Sequence, residues 1–526
     1  MSTLYRNGRV DVPGRPGASA FVVDGATLAW IGDEDGTALY AESEVVDLDG
    51  AFVAPAFVDA HVHTTDTGLT QTGLDLRGVR TLAEALDAVE RAARSTRGRP
   101  ILGGGWDDTG WPEGRPPTAA ELDRASYGGS VYLARVDLHS AVVSSSLMTA
   151  VPGLAGLSGY RANGRMSEPA AHDAVRAAAH DAVTRGQRRD AQRAALRAAA
   201  ALGIASVHEM AGPVISSADD LADLLALSAD EDVPEVIGYW GEMMGVETAR
   251  ELGAVGAGGD LFCDGSLGSG TAALSEPYAD RPGTGWTRFE TGALVEHILR
   301  CVDADLPAGF HAIGDAAVDQ VLDAYEVVTA RLGRPAGIGH RIEHAEYVRD
   351  PARLAASGLV ASMQPCFDAL WGGVDGLYAD RLGADRALAS NRFAELAAAG
   401  VPLAFGSDSP VTELGPWAAI RAASHHHDPA ASISPRAAFV AHTRAGWRAA
   451  GRDGEGVLTV GAPATFAVWR TGEPAVHAPD EHGAVWSTDA PAGVRGLPDV
   501  APGIELPSCV RTVLRGRTIH AAADDH

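Results

Sequence analysis

The chain has 526 residues, of which 46% are hydrophobic and 21% charged, a composition typical of a globular protein with ample apolar material for a core. Its formal net charge of -27 would repel a phosphate backbone, and no basic stretch with interleaved aromatic residues offsets that charge, which excludes nucleic acid as a partner. The four cysteines lack paired spacing, which argues against a disulfide framework and against a cysteine-ligated zinc site.

The N-terminal sequence MSTLYRNGRVDVPG does not have the charged-then-apolar order of a signal peptide. No apolar run reaches the roughly eighteen residues that a membrane span needs. We therefore expect a cytoplasmic protein that binds a small-molecule substrate and no membrane, and a homo-oligomer is compatible with this expectation. The sequence contains no lysine, so all 42 basic residues are arginines, and chemistry that needs a lysine amine is excluded.

The two ends of the chain share one pattern. Residues 1–54 and 456–526 alternate apolar and polar positions around Gly and Asp turns, which predicts strands. Because the termini of a domain commonly lie close together, we predict that both ends pair into one small β-sandwich.

Residues 55–455 alternate short apolar runs with amphipathic segments of helical length, the order that builds parallel sheets from βα units. We predict an α/β fold with a distorted (β/α)8 TIM barrel. The sequence contains nine candidate runs for eight barrel strands, so one of the runs is an accessory strand or a wrong assignment. The nine runs are AFVAPAFVDAHVH, SVYLARVDL, IASVHEM, EVIGYW, DLFCDG, AGFHAIGD, GHRIEHAEYV, LVASMQPCF and VPLAFGSD.

Metal-ligand residue types follow several of these strands, at the end where barrel enzymes carry their active sites. His61 and His63 end the first barrel strand, and their spacing puts both imidazoles on one face, where they can chelate a divalent metal. His311, His344 and Asp408 stand at three further strand ends. A buried carboxylate or imidazole needs a stabilising partner, and a bound metal would supply it.

Other polar residues have structural interpretations. His340 is expected to support the strand that carries His344, and Glu343 to point to the opposite face from His344, outside the barrel interior. The triplet of residues 425–427 is expected to be an exposed loop.

Six motifs in order resemble the YtcJ-like branch of the amidohydrolase superfamily, to which N-substituted formamide deformylases belong. They are FVDAHVH, GGGWDDTGWPEGRPPTAAELD, LFCDGSLGSGTAAL, HAIGDAAVD, RIEHAEYV and FGSDSPV, and the resemblance spans residues 3–515. It implies a distorted barrel, a flanking sandwich and hydrolysis at a metal-bound site. It further implies that Trp106, Asp107 and His139 lie near the substrate.

The sequence departs from this family at Asp260, where relatives have a lysine ahead of Leu-Phe. In many amidohydrolases a strand lysine becomes carbamylated and bridges two metals, which this lysine-free chain cannot do. Either Asp260 or Glu209 supplies a bridging carboxylate, or the enzyme uses one metal. The short stem of Asp260 favours one metal, with Glu209 the residue most able to compensate.

The combined prediction is a metal-dependent amidohydrolase, with zinc as the expected ion, that uses activated water to cleave a non-peptide C–N bond such as an amide or formamide. Asp408 is the predicted general base and acid, and His344 or His139 the predicted group that stabilises the oxyanion. Two alternatives stay open. The same site could hydrolyse an ester or lactone, or the chain could be a noncatalytic binding protein that lost its metal centre.

Overall fold

A computed structural model of the chain describes residues 2–15, 17–96, 98–136, 140–167, 169–337, 339–472 and 496–523. The protein has a mixed α/β fold. The strands in these ranges are β1 Ser2–Arg6, β2 Arg9–Val10, β3 Ala20–Asp24, β4 Thr27–Gly32, β5 Glu44–Asp47, β6 Phe52–Pro55, β7 Phe57–Val62, β8 Leu74–Asp75, β9 Ile101–Trp106, β10 Val131–Arg135, β11 Ala141–Val143, β12 Arg165–Met166, β13 Ile204–Ala211, β14 Glu235–Trp240, β15 Gly309–Ala312, β16 Arg341–His344, β17 Val360–Met363, β18 Leu403–Phe405, β19 Phe466–Arg470, β20 Ser508–Leu514 and β21 Arg517–Ala521.

The α-helices begin and end at clear sequence signals. Capping boxes start α3 at Thr118 and α6 at Thr184, and glycines in the left-handed conformation end α10 at Gly333 and α11 at Gly358. The helices are α1 Thr64–Thr72, α2 Leu82–Thr96, α3 Ala119–Ala125, α4 Ser145–Thr149, α5 Pro169–Ala182, α6 Arg185–Ala200, α7 Ala218–Asp230, α8 Val246–Leu252, α9 Thr291–Asp303, α10 Asp315–Leu332, α11 Pro351–Ser357, α12 Pro365–Trp371, α13 Leu377–Leu382, α14 Ala384–Leu388, α15 Phe393–Ala399, α16 Pro416–Ser424, α17 Pro435–Ala441 and α18 Arg444–Ala449. None of them, within the ranges given above, combines the length and hydropathy that crossing a membrane would require.

Two parallel sheets carry the predicted site residues. One has the strand order β14-β13-β7 and the other β15-β16-β17-β18. Nearly every residue of these strands is buried, because helices follow the strands and pack on the sheets. Their carboxyl ends lie at a common edge, and His61 and His344 are found there.

Isolated parallel bridges connect the two sheets at both of their edges. Val62, in β7, bridges to Ser409 beyond β18. On the other side, Tyr239 of β14 bridges to Gly256, and the next residue, Ala257, bridges to Ala308 just before β15. Backbone bridges therefore connect the two sheets on both sides.

Strands from both termini form two further sheets. The first has the order β4-β3-β1-β5, and the second, β2-β6-β19-β20-β21, combines strands from the beginning and the end of the chain. Their buried side chains share one hydrophobic cluster, in which the ring of Tyr5 stacks on Phe21 and both meet Phe466 edge-on. Strands from the two ends of the chain therefore pair in the second sheet, where β6 lies beside β19.

Eight of the nine predicted runs contain a strand. The run SVYLARVDL forms β10, but this strand belongs to a separate five-stranded sheet, β12-β11-β10-β9-β8. The run DLFCDG was a wrong assignment, because residues 260–265 are loop and make only a bridge between Phe262 and His311. Two glycines before this run, Gly258 and Gly259, have positive φ angles of 149° and 92°, which interrupt an extended strand.

Candidate metal centre

His61 and His63 converge on one carboxylate. Strand β7 extends to Val62, so His61 is its penultimate residue and His63 directly follows it. The Nε2 atoms of His61 and His63 lie 3.4 and 3.2 Å from Oδ1 of Asp408, and all three side chains are buried. The spacing of the two histidines therefore puts both imidazoles on the same side, as the sequence predicted.

Asp260 lies at the centre of the four predicted histidines. Its Oδ2 atom is 3.7 Å from Nε2 of His61 and 3.3 Å from Nε2 of His63. Its Oδ1 atom is 3.0 Å from Nδ1 of His311 and 3.3 Å from Nε2 of His344. One oxygen thus faces each pair of histidines. The short stem of Asp260 therefore reaches all four histidines.

The donor atoms suit a divalent metal ion. Two overlapping sets have their ligand atoms within 4.8 Å of one another: His61 with Asp260 and His344, and His61 with His63 and Asp408. His61 Nε2 and Asp408 Oδ1 are buried without a hydrogen-bond partner. Buried polar atoms are normally paired, and imidazole nitrogen with carboxylate oxygen is a donor set that zinc and similar ions accept.

The electrostatics keep the carboxylates ionised. Burial lowers the pKa of His63, but Asp260 and Asp408 outweigh it and raise this pKa to about 10. Burial disfavours the Asp260 carboxylate as well, yet His61, His311 and His344 hold its pKa well below the ordinary value. Metal binding requires ionised carboxylates and neutral imidazoles, so the site supplies the carboxylates and a bound ion would take the place of the proton on His63.

Two of these residues have unusual backbone conformations. His344 has a φ angle of 70° and Asp408 one of 55°, both in the left-handed region that non-glycine residues rarely adopt. Each stands at or just beyond a strand end, where the turn redirects the side chain towards the cluster. Such strain persists where the surroundings enforce it, and it concentrates at functional sites.

Hydrogen bonds to their second ring nitrogens orient three of the histidines. Glu343 Oε2 lies 2.9 Å from His61 Nδ1, and Gln364 Oε1 lies 2.9 Å from His344 Nδ1. His63 Nδ1 is 3.1 Å from the carbonyl oxygen of Met210. These contacts are typical of metal-ligating histidines, whose outer nitrogen donates to an oxygen.

A cavity of about 370 Å³ opens onto the cluster. His63, Asp260, His311, His344 and Asp408 line it. The predicted substrate-pocket residue Asp107 also lines this cavity, and its carboxylate is 2.8 Å from Arg135 Nη2. A small molecule in this cavity would therefore lie against both the cluster and this ion pair.

For three other predicted site residues the outcome differs. Trp106 is a correction: it is fully buried, its indole donates to the Leu133 carbonyl at 2.9 Å, and it packs in the core around Leu82 rather than lining the cavity. Glu209 lies outside both ligand sets, and its carboxylate accepts the Thr64 N–H at 2.8 Å. His139 falls outside the described residues.

The structure also bears on three interpretations of neighbouring residues, two of which it changes. Glu343 does not face away from the interior, because it contacts His61 and is fully buried. His340 has the predicted structural role, with Nδ1 accepting the Ala308 N–H at 3.0 Å. The predicted exposed loop is only partly exposed, because His426 is buried and lies 3.2 Å from Asp368.

The chain is similar to known proteins in both sequence and structure. A family model described as the amidohydrolase family matches residues 44–520. The LONG AFTER FAR-RED 3 protein of Arabidopsis thaliana is 31% identical over 470 residues, covering 81% of this chain and 79% of that protein. The YtcJ protein of Bacillus subtilis (strain 168) is 26% identical over 427 residues, covering 73% and 75%. The crystal structure of an uncharacterized metal-dependent hydrolase from Pyrococcus furiosus aligns with a TM-score of 0.72 at 29% identity, covering 89% of this chain and 98% of that one.

Proposed function

The chain belongs to the amidohydrolase family, and from this membership and the geometry of the cluster we propose that it hydrolyses a non-peptide C–N bond of a small molecule at a divalent metal centre. The proposal rests on the convergence of His61, His63 and Asp408. Two of their ligand atoms, Nε2 of His61 and Oδ1 of Asp408, are buried without a hydrogen-bond partner. The amide or formamide bond is favoured by the resemblance of the six motifs to N-substituted formamide deformylases.

We propose that the cluster would hold two divalent ions and that Asp260 would contribute a ligand to both. His61, His63 and Asp408 would hold the first ion, and His311 with His344 the second. The support is that each Asp260 oxygen lies within 3.0–3.7 Å of a different pair of imidazoles. Zinc is the proposed ion, because imidazole and carboxylate ligands suit it. When bound, such an ion lowers the pKa of a water molecule and polarises the bond to be cleaved.

The residues of the chain would move the protons. Asp408 is ionised, since His61 and His63 overcome the effect of burial and hold its pKa well below the ordinary value. Its carboxylate can accept a proton from the attacking water and then deliver it to the leaving nitrogen, which departs as an amine. Asp107 lines the same cavity and is proposed to contact the substrate.

An ester or lactone hydrolase is the second candidate, because activated water in the same site attacks either carbonyl and the fold does not choose between them. The test uses protein purified without a His tag and a panel of N-substituted formamides, acetamides and matched esters. We expect hydrolysis that chelation abolishes and added zinc restores, with the formamides turned over faster than the esters. Faster ester turnover would select the second candidate, and no metal-dependent turnover of any substrate would reject both.

Replacing His61 and His63 together with Ala is the matching loss-of-site variant. Two ligands fewer leave too few donors for tight binding, so we expect neither bound metal nor activity. Thermal melting should show that the variant still folds. Full metal retention by the double variant would reject the site.

We also propose the finer fold. Residues 55–455 would form a distorted (β/α)8 barrel, and residues 1–54 with 456–526 a β-sandwich. The parallel bridges Val62–Ser409 and Ala257–Ala308 support closure of the barrel, and the shared hydrophobic cluster of the terminal sheets supports the sandwich. A crystal structure would test both.

A further inference from the structure

A second, larger cavity lies beside the one that contains the ligand cluster. Its volume is about 730 Å³, against about 370 Å³ for the first. Val136, Arg176, Trp371 and Val411 line both, so the two spaces meet at these side chains. Each volume falls within the roughly 300–1,000 Å³ typical of small-molecule sites, so a ligand could occupy both at once.

The wall of the larger cavity is mainly apolar. Leu370, at the end of α12, lines it and is 61% exposed. Helix α16 adds the small side chain of Ala418, which leaves space inside the cavity. The other apolar lining residues include Leu69, Leu102, Tyr132, Ala369 and Leu414.

The charged side chains of this cavity are already engaged. Arg176 and His180 both contact the carboxylate of Asp66. Arg77 contacts Glu413 at 2.7 Å, and Arg421 donates to backbone carbonyl oxygens. A charged ligand would have to compete with these partners, whereas an apolar ligand would leave them in place.

We propose that this cavity binds an extended apolar group of the substrate, an alkyl or aryl chain attached next to the scissile bond. This inference rests on the proposed function, because it takes the bond to be hydrolysed to lie in the adjoining cavity. The binding of apolar chains does not itself require hydrolysis. The substrate class is therefore a neutral amide with a long hydrophobic substituent.

The test measures binding separately from catalysis. The probes are n-butanol, n-hexanol and n-octanol, which contain no bond that the enzyme could hydrolyse, titrated into the purified protein by calorimetry. Each methylene removed from water can tighten binding up to about fourfold, so octanol is expected to bind at least about tenfold more tightly than butanol. Equal affinities for the two alcohols would overturn the inference.

Two variants test where the alkyl chain of the alcohol binds. Ala418→Trp fills the cavity, and Ala356→Trp, at an exposed position of α11 that lines neither cavity, is its control. Ala418→Trp should abolish the preference for octanol and Ala356→Trp should keep it. If Ala418→Trp does not fold, Leu370→Asp at the cavity wall replaces it, with the exposed Leu157→Asp as control. A preference for octanol that survives the cavity variant would overturn the proposal.

Hydrolysis assays separate this inference from the proposed function. N-methyl, N-butyl and N-octyl formamides should show kcat/KM rising with chain length in the wild type and remaining flat in Ala418→Trp. Hydrolysis without any chain-length preference overturns only the cavity inference. Preferential binding of octanol by a protein that hydrolyses none of the panel overturns only the proposed function.

Discussion

Oε2 of Glu343 lies 2.9 Å from Nδ1 of His61, and both side chains are fully buried. Burial disfavours the Glu343 charge, but Arg341 and His61 lower the pKa of this carboxyl to about 2. An ionised carboxylate at Nδ1 holds the proton on that nitrogen and leaves Nε2 free to bind a metal. Glu343 is therefore a positioning residue for His61.

Glu343→Gln should weaken metal binding on the order of 10- to 100-fold, because the amide cannot fix the tautomer of His61 as the carboxylate does. Competition with a chelator of known affinity measures the effect. Glu296→Gln is the matched control, since Glu296 is exposed and pairs with Arg331 at the surface. Unchanged affinity in Glu343→Gln would show that His61 does not depend on this contact.

Asp408→Asn should slow turnover on the order of 10²-fold or more while most of the metal stays bound, because the amide keeps the shape of the side chain but cannot accept a proton. Steady-state kinetics and metal analysis of the same preparation measure both quantities. Asp453→Asn, at an exposed carboxylate paired with Arg448, controls for the substitution. Near-normal turnover would remove Asp408 from the role of general base.

The position of histidines at strand ends predicted a group that the structure brings together around Asp260, but the interpretation of the residues around them was wrong. His61, His63, His311 and His344 could be selected because each ends an apolar run. The sequence placed Glu343 on the face opposite His344, because side chains alternate between two faces along a strand. This alternation holds only while the backbone stays extended. His344 has a φ angle of 70°, so its side chain no longer alternates with its neighbour. All of β16 is also buried, so no solvent-facing side exists to take Glu343.

The role of Trp106 could not be predicted from its motif either. Gly105 has a φ angle of 84°, and the pairing of β9 with β10 shifts register between Ala134 and Arg135. These two irregularities turn the indole of Trp106 into the core, where it donates to Leu133. A local sequence pattern does not reveal a register shift, because the partner strand determines it.

Glu121 gives a pH-dependent prediction for stability. Arg115, assisted by the capping contacts of Thr118, lowers the pKa of Glu121 from 4.5 to about 2. Because this pKa is lower in the folded protein, the stabilisation is fully present above about pH 4.5 and is lost as the pH falls towards 2. Glu121→Gln should lower the free energy of unfolding by about 1 kcal/mol at pH 7, since solvent screens the pair.

Urea titrations of Glu121→Gln and wild type at pH 7 and pH 3 measure this difference, which should shrink at the lower pH. Glu251→Gln, at an exposed position of α8, should show no such difference at either pH. A difference that stays constant between the two pH values would contradict the assignment to the ionised carboxylate.

We expect Asp260 to determine how many ions the protein holds. Its two oxygens face different pairs of histidines, so a bridging carboxylate should allow two ions about 3.5–4 Å apart, visible as two peaks in anomalous scattering at the metal edge. Asp260→Asn removes the negative charge between them and should reduce the metal content from two ions per chain to one, whereas Asp87→Asn on the exposed side of α2 should retain both. Because the chain has no lysine to carbamylate, added bicarbonate should not raise the activity of the wild type. A single fully occupied ion in the wild type, with metal content unchanged in Asp260→Asn, would show that His61, His63 and Asp408 form a one-metal site to which Asp260 does not contribute.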